Sequence, residues 1–214
     1  MVTAVGVLAF VRAALPAPPA RVLEVGAGNG ELAATLREIG YDVLAIDPAS
    51  ETAHVLPAAL HEVQEPDGSF DAAVAVLSLH HVEPLHESCQ KLAALVRPGG
   101  RVVIDEFDVE RFDERAARWW LGQRAAVGAE QPAEPATLVS ERREHLHWVS
   151  HLRDELALDF ALGEPVRGPF LYRWGLGESL CSAEEHLVAT GALPATGARL
   201  VGRRRAATAS TVPA

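Results

Sequence analysis

The stretch LEVGAGNGELA, residues 23–33, has three glycines at alternate positions directly after an apolar run. Glycine lets the main chain turn sharply and lie close to a ligand. The apolar run RVLEV, residues 21–25, predicts a buried parallel strand, and residues 31–39 predict a helix. Two families of cofactor-binding proteins use a strand, a glycine turn and a helix in this order. The stretch therefore limits the cofactor to two classes but does not distinguish between them.

Apolar runs and amphipathic stretches alternate from residue 21 to residue 107, which predicts a doubly wound α/β fold with a parallel sheet. The further strands are DVLAID (42–47), FDAAVAVLSL (70–79) and GRVVIDEF (100–107). The helix ESCQKLAALV (87–96) and the turn RPGG (97–100) connect the last two strands.

The remaining segments predict mostly helices, followed by the last strands. A helix over residues 5–15 precedes the first strand, and two long helices are predicted within residues 108–162, ERFDERAARWWLGQRAAVG (110–128) and SERREHLHWVSHLRDELAL (140–158). Two strands are then predicted around a helix near SAEEHLVATG (182–191), namely GPFLYRWG (168–175) and GARLVGRRR (197–205).

The glycine spacing argues against a dinucleotide cofactor. A dinucleotide site needs G-x-G-x-x-G, but the sixth position from Gly26 is Glu31. The carboxylates of Glu24 and Glu31 would repel a pyrophosphate and favour a zwitterion with a cationic centre. Asp47 ends the second predicted strand, where a carboxylate can accept two hydrogen bonds from a ribose diol.

Three stretches resemble the motifs of class I S-adenosylmethionine-dependent methyltransferases: VLEVGAGNGELA (22–33), PDGSFDAAVAVLSLHHVEP (66–84) and LAALVRPGGRVVIDEF (92–107). The resemblance is specific over residues 20–107 and general beyond. It implies S-adenosyl-L-methionine as cofactor and a mostly parallel, seven-stranded Rossmann-like sheet with helices on both faces. It further implies one methyltransferase domain over residues 1–214, divided into a cofactor-binding half (1–107), a helical cover (108–162), the last strands (163–205) and a flexible tail (206–214).

The resemblance also implies a set of cofactor-binding residues. The glycine turn would face the methionine part of the cofactor, the acid after the second strand would hold the ribose, and main chain near Leu77 and Ser78 would meet the methionine ammonium. Ala59 stands where the family commonly has the acid that binds adenine, so the amide of Leu60, or else Glu62 or His61, would replace it. The complete set is Glu24, Gly26, Ala27, Gly28, Gly30, Asp47, Pro48, Leu60, Leu77 and Ser78.

The candidate catalytic residues lie at the carboxyl ends of the third and fourth predicted strands, residues 70–79 and 100–107. His80 and His81 come at the carboxyl end of one strand, where ligands of open α/β sheets bind, and Glu106 ends the next. In the small-molecule O-methyltransferase branch that LHHVEP resembles, these positions imply His80 as general base, Glu106 as its orienting partner and His81 as a support residue. Asp105 would face the opposite side of the strand. Histidines here can also serve packing alone, and proximity alone can methylate an amine.

Composition limits the partners. A net charge of −10 argues against nucleic acid, and no apolar run is long enough to span a membrane. Cys89 and Cys181 lie far apart without neighbouring ligands, which fits a reducing cytoplasm. Glu144, His145, His147 and His151 have chelating spacing, but the pattern is also that of a solvated helix face, so no metal is predicted.

The sequence predicts an enzyme that methylates a small molecule, with oxygen preferred over nitrogen. Trp119, Trp120, Trp148 and Trp174 predict either core or an apolar acceptor pocket. The alternatives are an N-methyltransferase working by proximity, a protein-methylating enzyme, and a cofactor-binding regulatory protein without transfer activity. The oligomeric state is left open.

Overall fold

A computed structural model of the chain describes residues 6–128 and 134–206, and the strands in these ranges form one sheet. Nearly all of the tail predicted over 206–214 and the first residue of the helix predicted over 5–15 lie outside the described residues. The strands are β1 (Arg21–Val25), β2 (Asp42–Ile46), β3 (Phe70–Val76), β4 (Val96–Phe107), β5 (Phe160–Leu162), β6 (Val166–Gly168) and β7 (Gly197–Arg204).

The sheet has the order β2-β1-β3-β4-β7-β5, and β6 also pairs with β7. The first four strands in this order are parallel, whereas β7 runs antiparallel to β4, β5 and β6. The predicted doubly wound, mostly parallel, seven-stranded sheet is therefore confirmed. Its parallel half places the carboxyl ends of β1 to β4 along one edge.

Helices cover both faces of this sheet. The helices are α1 (Val7–Ala14), α2 (Glu31–Glu38), α3 (Leu85–Leu95), α4 (Glu114–Ala126), α5 (Pro135–His145), α6 (Val149–Ala157) and α7 (Cys181–Ala189). Helices α3 and α6 pack on the face that carries Leu23 and Ile104, and α1 and α2 pack on the face that carries Val22 and Val103. Alternate residues of each buried strand thus fill two separate cores.

Helices α4 and α5 form a third layer beyond the carboxyl end of β4. Their apolar side chains join Phe107 and Phe112 in a cluster, against which Leu77 and Trp174 are partly buried. The rings of Trp120 and Trp174 stack with centroids 4.2 Å apart. Helix α6 belongs to the predicted range 108–162 but packs on the sheet beside α3, so only α4 and α5 stand over the edge.

The single helix predicted over 140–158 is wrong, because the chain forms α5 and α6 with a break at residues 146–148. The break is held by His147, whose main-chain N–H donates to the carbonyl of His80 at 3.0 Å. Its Nε2 lies 3.0 Å from the carbonyl oxygen of Val82 and 3.0 Å from Oε1 of Glu83. Contacts with a distant turn therefore interrupt a locally helical pattern.

The strand predicted over GPFLYRWG (168–175) is also wrong, since the chain makes a short 3₁₀ turn at Leu171–Arg173. The carboxylate of Glu184 causes this turn: it accepts the amides of Phe170 (2.7 Å), Leu171 (2.9 Å) and Tyr172 (2.7 Å). Three successive amides aimed at one carboxylate cannot belong to an extended strand.

Two further elements differ from the expected ones. The short edge strands β5 and β6 were not predicted, because three residues carry too little periodicity. The RPGG turn lies inside β4, which begins at Val96 and shifts register between the pairs Phe70–Val96 and Ala72–Arg101.

We expect Glu184→Ala to lower the free energy of unfolding by about 2–4 kcal/mol, because three buried amides lose their acceptor. Urea unfolding measures this loss. The exposed Glu178 precedes α7 and accepts none of these three amides, so Glu178→Ala should change stability by less than about 0.5 kcal/mol. Equal losses for the two variants would show that Glu184 does not hold the turn.

Candidate active site

The glycine turn after β1 brings two strand ends into close approach. Gly26 has φ +69°, and a Cβ there would lie 2.2 Å from Cβ of Ser78 at the end of β3. The amides of Gly26 and Ala27 both donate to the carbonyl of Ile46 at 2.9 Å. A side chain at Gly26 would push the ends of β1 and β3 apart, so the predicted turn depends on glycine here.

Asp47 follows β2 at the same edge and supports this turn. Its Oδ2 accepts the amide of Gly28 at 2.9 Å, and its Oδ1 accepts the amide of Ala49 at 2.9 Å. Asp47 and its exposed neighbour Pro48 lie beside a cavity of about 500 Å³. The residues that line this cavity are Gly28, Asn29, Asp47, Ala49, Ser50, Glu51 and Thr52. The predicted ribose acid therefore borders an accessible space.

Glu24 borders a second cavity, of about 340 Å³. Burial raises the pKa of Glu24 to about 7, although the charge of Arg37 and the amide of Ala33 oppose the rise. Its Oε2 is buried without a hydrogen-bond partner among the described residues. The cavity is lined by Val7, Glu24, Gly26, Ala27, Asn29, Glu31, Leu32 and Val76. A buried, unpartnered carboxylate oxygen at a cavity wall suits a cationic ligand.

The turn after β3 is fixed by main-chain and side-chain bonds. Leu77 has a positive φ of 54°, and its amide donates to the carbonyl of Asp105 at 2.9 Å. The hydroxyl of Ser78 donates to the carbonyl of Val25 at 2.7 Å, which ties β3 to β1. The amides of Leu77 and Ser78 both donate within the protein, and the carbonyl of Ser78 accepts the amide of His81 at 3.1 Å, so the carbonyl of Leu77 is the group proposed for the contact with an ammonium.

Glu106 lies in the centre of this arrangement and has no solvent exposure. Its Oε1 accepts the amides of Ser78 (3.0 Å) and Leu79 (2.7 Å). Its Oε2 contacts Nδ1 of His80. The structure thus brings together the predicted base and its predicted partner, and it adds a role that the sequence did not indicate: Glu106 also holds the turn that carries the histidine.

His80 and His81 lie in a short 3₁₀ turn with different exposure. His80 is buried, whereas His81 is exposed, and their ring centroids are 4.3 Å apart. The partial burial of the His81 ring, followed by the charge of His80, lowers the pKa of His81.

Asp105 points to the opposite face of β4, as predicted from strand alternation. Its Oδ1 binds Nη1 of Arg173 at 2.7 Å, and its Oδ2 binds Nε of Arg199 at 2.9 Å. These ion pairs join the turn at residues 171–173 and β7 to β4. Asp105 therefore makes no contact with the His80 and Glu106 pair.

The adenine-side residues lie in one short turn, Leu60–Glu62, that follows the exposed segment after β2. The carboxylate of Glu62 accepts the amide of Ala59 at 3.2 Å, so this acid caps its own turn. Nδ1 of His61 is buried without a partner in the described part of the chain. His61 and the main chain of Leu60 therefore remain the residues proposed for adenine.

The residues with chelating spacing do not converge on one point, although the ring centroids of His147 and His151 lie 5.7 Å apart. His147 belongs to the break between α5 and α6, Nδ1 of His145 binds the carbonyl of Glu141 at 2.7 Å, and Nε2 of His151 lies 3.9 Å from Glu155. Glu144 is exposed. Within residues 6–128 and 134–206, no three His, Cys, Asp or Glu side chains lie close enough together to hold a metal ion.

Sequence analysis missed two features of the site. His147 anchors the cover to His80, although its spacing had suggested only a metal ligand or a solvated face. Trp120 and Trp174 form a stacked pair beside the predicted site, whereas Trp119 is partly buried and Trp148 is 45% exposed. Only the high tryptophan content of the second half of the chain indicated this layer.

Across the described residues, no helix is long and apolar enough to cross a membrane.

The sequence profile of a family described as "Methyltransferase domain" matches residues 6–154, which is more than half of the chain. An uncharacterized methyltransferase of Mycobacterium tuberculosis, Rv3342, is 31% identical over 157 residues, which cover 68% of this chain and 64% of the relative. The ubiquinone biosynthesis O-methyltransferase of Xanthomonas campestris is 33% identical over 114 residues, 45% of this chain and 47% of that enzyme. The chain thus spans less than two thirds of these relatives.

A solved methyltransferase structure has the same fold as this chain. The S-adenosylmethionine-dependent methyltransferase from Mesorhizobium loti superposes with a TM-score of 0.59 at 18% identity, over 91% of this chain and 95% of that one. The sheet order, the glycine turn and the profile match all indicate the same family of proteins. The chain belongs to the class I S-adenosylmethionine-dependent methyltransferase family. Its cofactor is S-adenosylmethionine.

We expect Asp47→Ala to weaken the binding of S-adenosylhomocysteine by about 1.5–3 kcal/mol, the scale of hydrogen bonds to a charged group. Titration calorimetry measures the affinity. Asp42 lies at the opposite end of β2 and is exposed, so Asp42→Ala is the matched control and should bind as the wild type does. An unchanged affinity for Asp47→Ala would remove Asp47 from the ribose site.

We expect cofactor affinity to rise about tenfold between pH 6 and pH 8, because Glu24 must be ionised to attract a cation and its pKa is about 7. Calorimetry with S-adenosylmethionine across this range measures the rise, and Glu24→Gln should remove it. A pH dependence that persists in Glu24→Gln would assign the titration to another group.

Glu24→Gln should also stabilise the folded protein above about pH 7, although it removes the gain in cofactor affinity over the same pH range. The pKa of Glu24 is raised above its ordinary value of 4.5, so ionising the buried carboxyl costs stability as the pH rises from about 4.5 to 7. At pH 8 the Glu24→Gln variant should therefore be more stable than the wild type, by up to about 3 kcal/mol in thermal or urea unfolding.

Proposed function

We propose that this chain methylates a hydroxyl group of a small molecule, with His80 as the general base. The observation that carries the proposal is the contact between Nδ1 of His80 and the buried carboxylate of Glu106 at the carboxyl edge of the sheet. A packing histidine has no need of a fully buried carboxylate. An imidazole that gains a proton does need one, because the carboxylate stabilises the imidazolium.

The residues around the two cavities fit the cofactor. Gly26 leaves room that a Cβ would fill, and Glu24 offers an unpartnered carboxylate oxygen toward a positive charge. Asp47 lies beside the larger cavity, where it would hold the ribose hydroxyls. When bound, S-adenosylmethionine supplies an electrophilic methyl group on a sulfonium.

The proton follows a short path in this proposal. Nδ1–H of His80 donates to Oε2 of Glu106, which leaves Nε2 as the ring nitrogen that accepts the proton of the acceptor hydroxyl. The acceptor oxygen would bond to the methyl carbon while the methyl–sulfur bond of the cofactor breaks, and with the proton held on Nε2 of His80 the products would be a neutral ether and a neutral thioether. Glu106 keeps the ring in one orientation because its other oxygen is fixed by the amides of Ser78 and Leu79.

The cover formed by α4 and α5 would select the acceptor and exclude water. Its aromatic cluster reaches the site through Leu77 and Trp174, which are only partly buried. An apolar wall next to a histidine base suits a small organic molecule better than a nucleic acid, and the net charge of −10 agrees. The related O-methyltransferase of Xanthomonas campestris is consistent with an oxygen acceptor.

We expect His80→Ala to reduce turnover on a hydroxyl acceptor by about 10² to 10⁴, the usual contribution of general-base catalysis. The rate of the wild type should fall toward acid pH, because a protonated ring cannot accept the hydroxyl proton. Steady-state rates from pH 5 to pH 9 measure both effects, and the affinity for S-adenosylhomocysteine should change little.

Two further measurements complete this test. Glu106→Gln should reduce turnover less than His80→Ala, since glutamine keeps an oxygen acceptor for the turn amides. A mild defect in His80→Ala, with a pH profile set by the acceptor, would instead indicate transfer to an amine by positioning alone.

A further inference from the structure

Two arginines and one tryptophan of the cover form one stack with Trp174, which follows the turn at residues 171–173. The guanidinium carbon of Arg142 lies 4.7 Å from the ring centroid of Trp174, and that of Arg124 lies 5.1 Å from the ring centroid of Trp120. The two indole rings stack on each other, and Nε1 of Trp120 donates to the carbonyl of Trp174 at 2.8 Å. Arg142 is thus held on an aromatic face rather than left free in solvent.

Arg142 lies in the part of the cover that leads into the contact with the histidine turn. It is in the last turn of α5, and five residues later the amide of His147 donates to the carbonyl of His80. The charge of Arg142 is among those that lower the pKa of His81. The stacking partner Trp174 also contacts Phe107 at the end of β4. Arg142 is therefore a positive charge near the turn that carries the proposed base.

The environment of Arg142 differs from that of Arg143 and Arg173, whose guanidinium groups bind oxygen atoms of the protein. Arg143 donates to the carbonyls of Glu110 (3.0 Å) and Phe112 (3.2 Å), and Arg173 binds Asp105. Arg142 forms no ion pair with a carboxylate in the described part of the chain. A half-buried guanidinium of this kind is weakly hydrated and is ready to bind an oxyanion with two parallel hydrogen bonds.

We propose that Arg142 binds a carboxylate of the methyl acceptor, which makes the acceptor a hydroxylated carboxylic acid. This inference rests on the proposed function, in which His80 receives the hydroxyl proton of that acceptor. One guanidinium matches the single charge and planar fork of a carboxylate. A phosphate dianion would require more positive charge in a chain with a net charge of −10. Arg142 fixes the acid end while the hydroxyl meets His80.

The test uses a panel of hydroxylated aromatic and aliphatic acids, each paired with its primary amide. Methyl transfer from S-adenosylmethionine is followed by mass spectrometry, and KM and kcat are measured for each product-forming compound. The wild type should methylate the acid of a pair in preference to the amide. Arg142→Met should raise KM for that acid by about 10- to 100-fold with little change in kcat, and should leave the amide unaffected.

Two other variants make the result specific. Arg118 is an exposed residue of α4 that pairs with Glu114 at 3.4 Å, so Arg118→Met makes the same charge change and should keep the preference for the acid. Arg142→Lys keeps the charge without the planar fork, so it should keep part of the preference even if the methionine variant folds poorly.

Several results would overturn the assignment. Equal transfer to acids and amides, transfer to amides alone, or an unchanged acid preference in Arg142→Met would each show that Arg142 does not bind the acceptor, while O-methylation itself would stand. The proposed function would fail differently: methyl groups would appear only on nitrogen, or His80→Ala would methylate hydroxyls at the wild-type rate.

Discussion

One carboxylate determines how the carboxyl edge of this sheet is built. Glu106 is fully buried, and its two oxygens take the amides of Ser78 and Leu79 together with Nδ1 of His80. A buried carboxylate is costly unless donors surround it, and here two main-chain amides and an imidazole provide them. The turn after β3 and the orientation of the proposed base therefore have the same origin, and a change at Glu106 affects both.

The parallel strands convert this local arrangement into a complete site. Because β1, β2, β3 and β4 end at the same edge, the glycine turn, Asp47, the histidine turn and Glu106 are brought together from distant parts of the sequence. Strand alternation then separates adjacent acids: Glu106 faces the histidines, whereas Asp105 faces Arg173 and Arg199. The two neighbouring carboxylates therefore have different roles: Glu106 holds the histidine turn, and Asp105 holds β4 to β7 through Arg199.

Local patterns were sufficient to predict the cofactor half from sequence. Strand and helix periods are set by neighbouring residues, and glycine spacing and strand-end acids identify the edge, so Asp47 and the proximity of His80 to Glu106 could be predicted. The errors at 140–158 and 168–175 have long-range causes. His147 is held by His80, and Glu184 caps amides more than ten residues earlier, so no window of sequence reveals either contact. Arg142 became a candidate only when its ring partner was visible.

The stacked indoles of Trp120 and Trp174 give this protein an intrinsic spectroscopic reporter. Their centroids are 4.2 Å apart, so each indole forms part of the immediate environment that sets the near-ultraviolet absorption and fluorescence of the other. One ring belongs to α4 and the other follows the turn at residues 171–173. The near-ultraviolet signal of the pair therefore depends on the docking of these two segments and follows the docked population without any attached label.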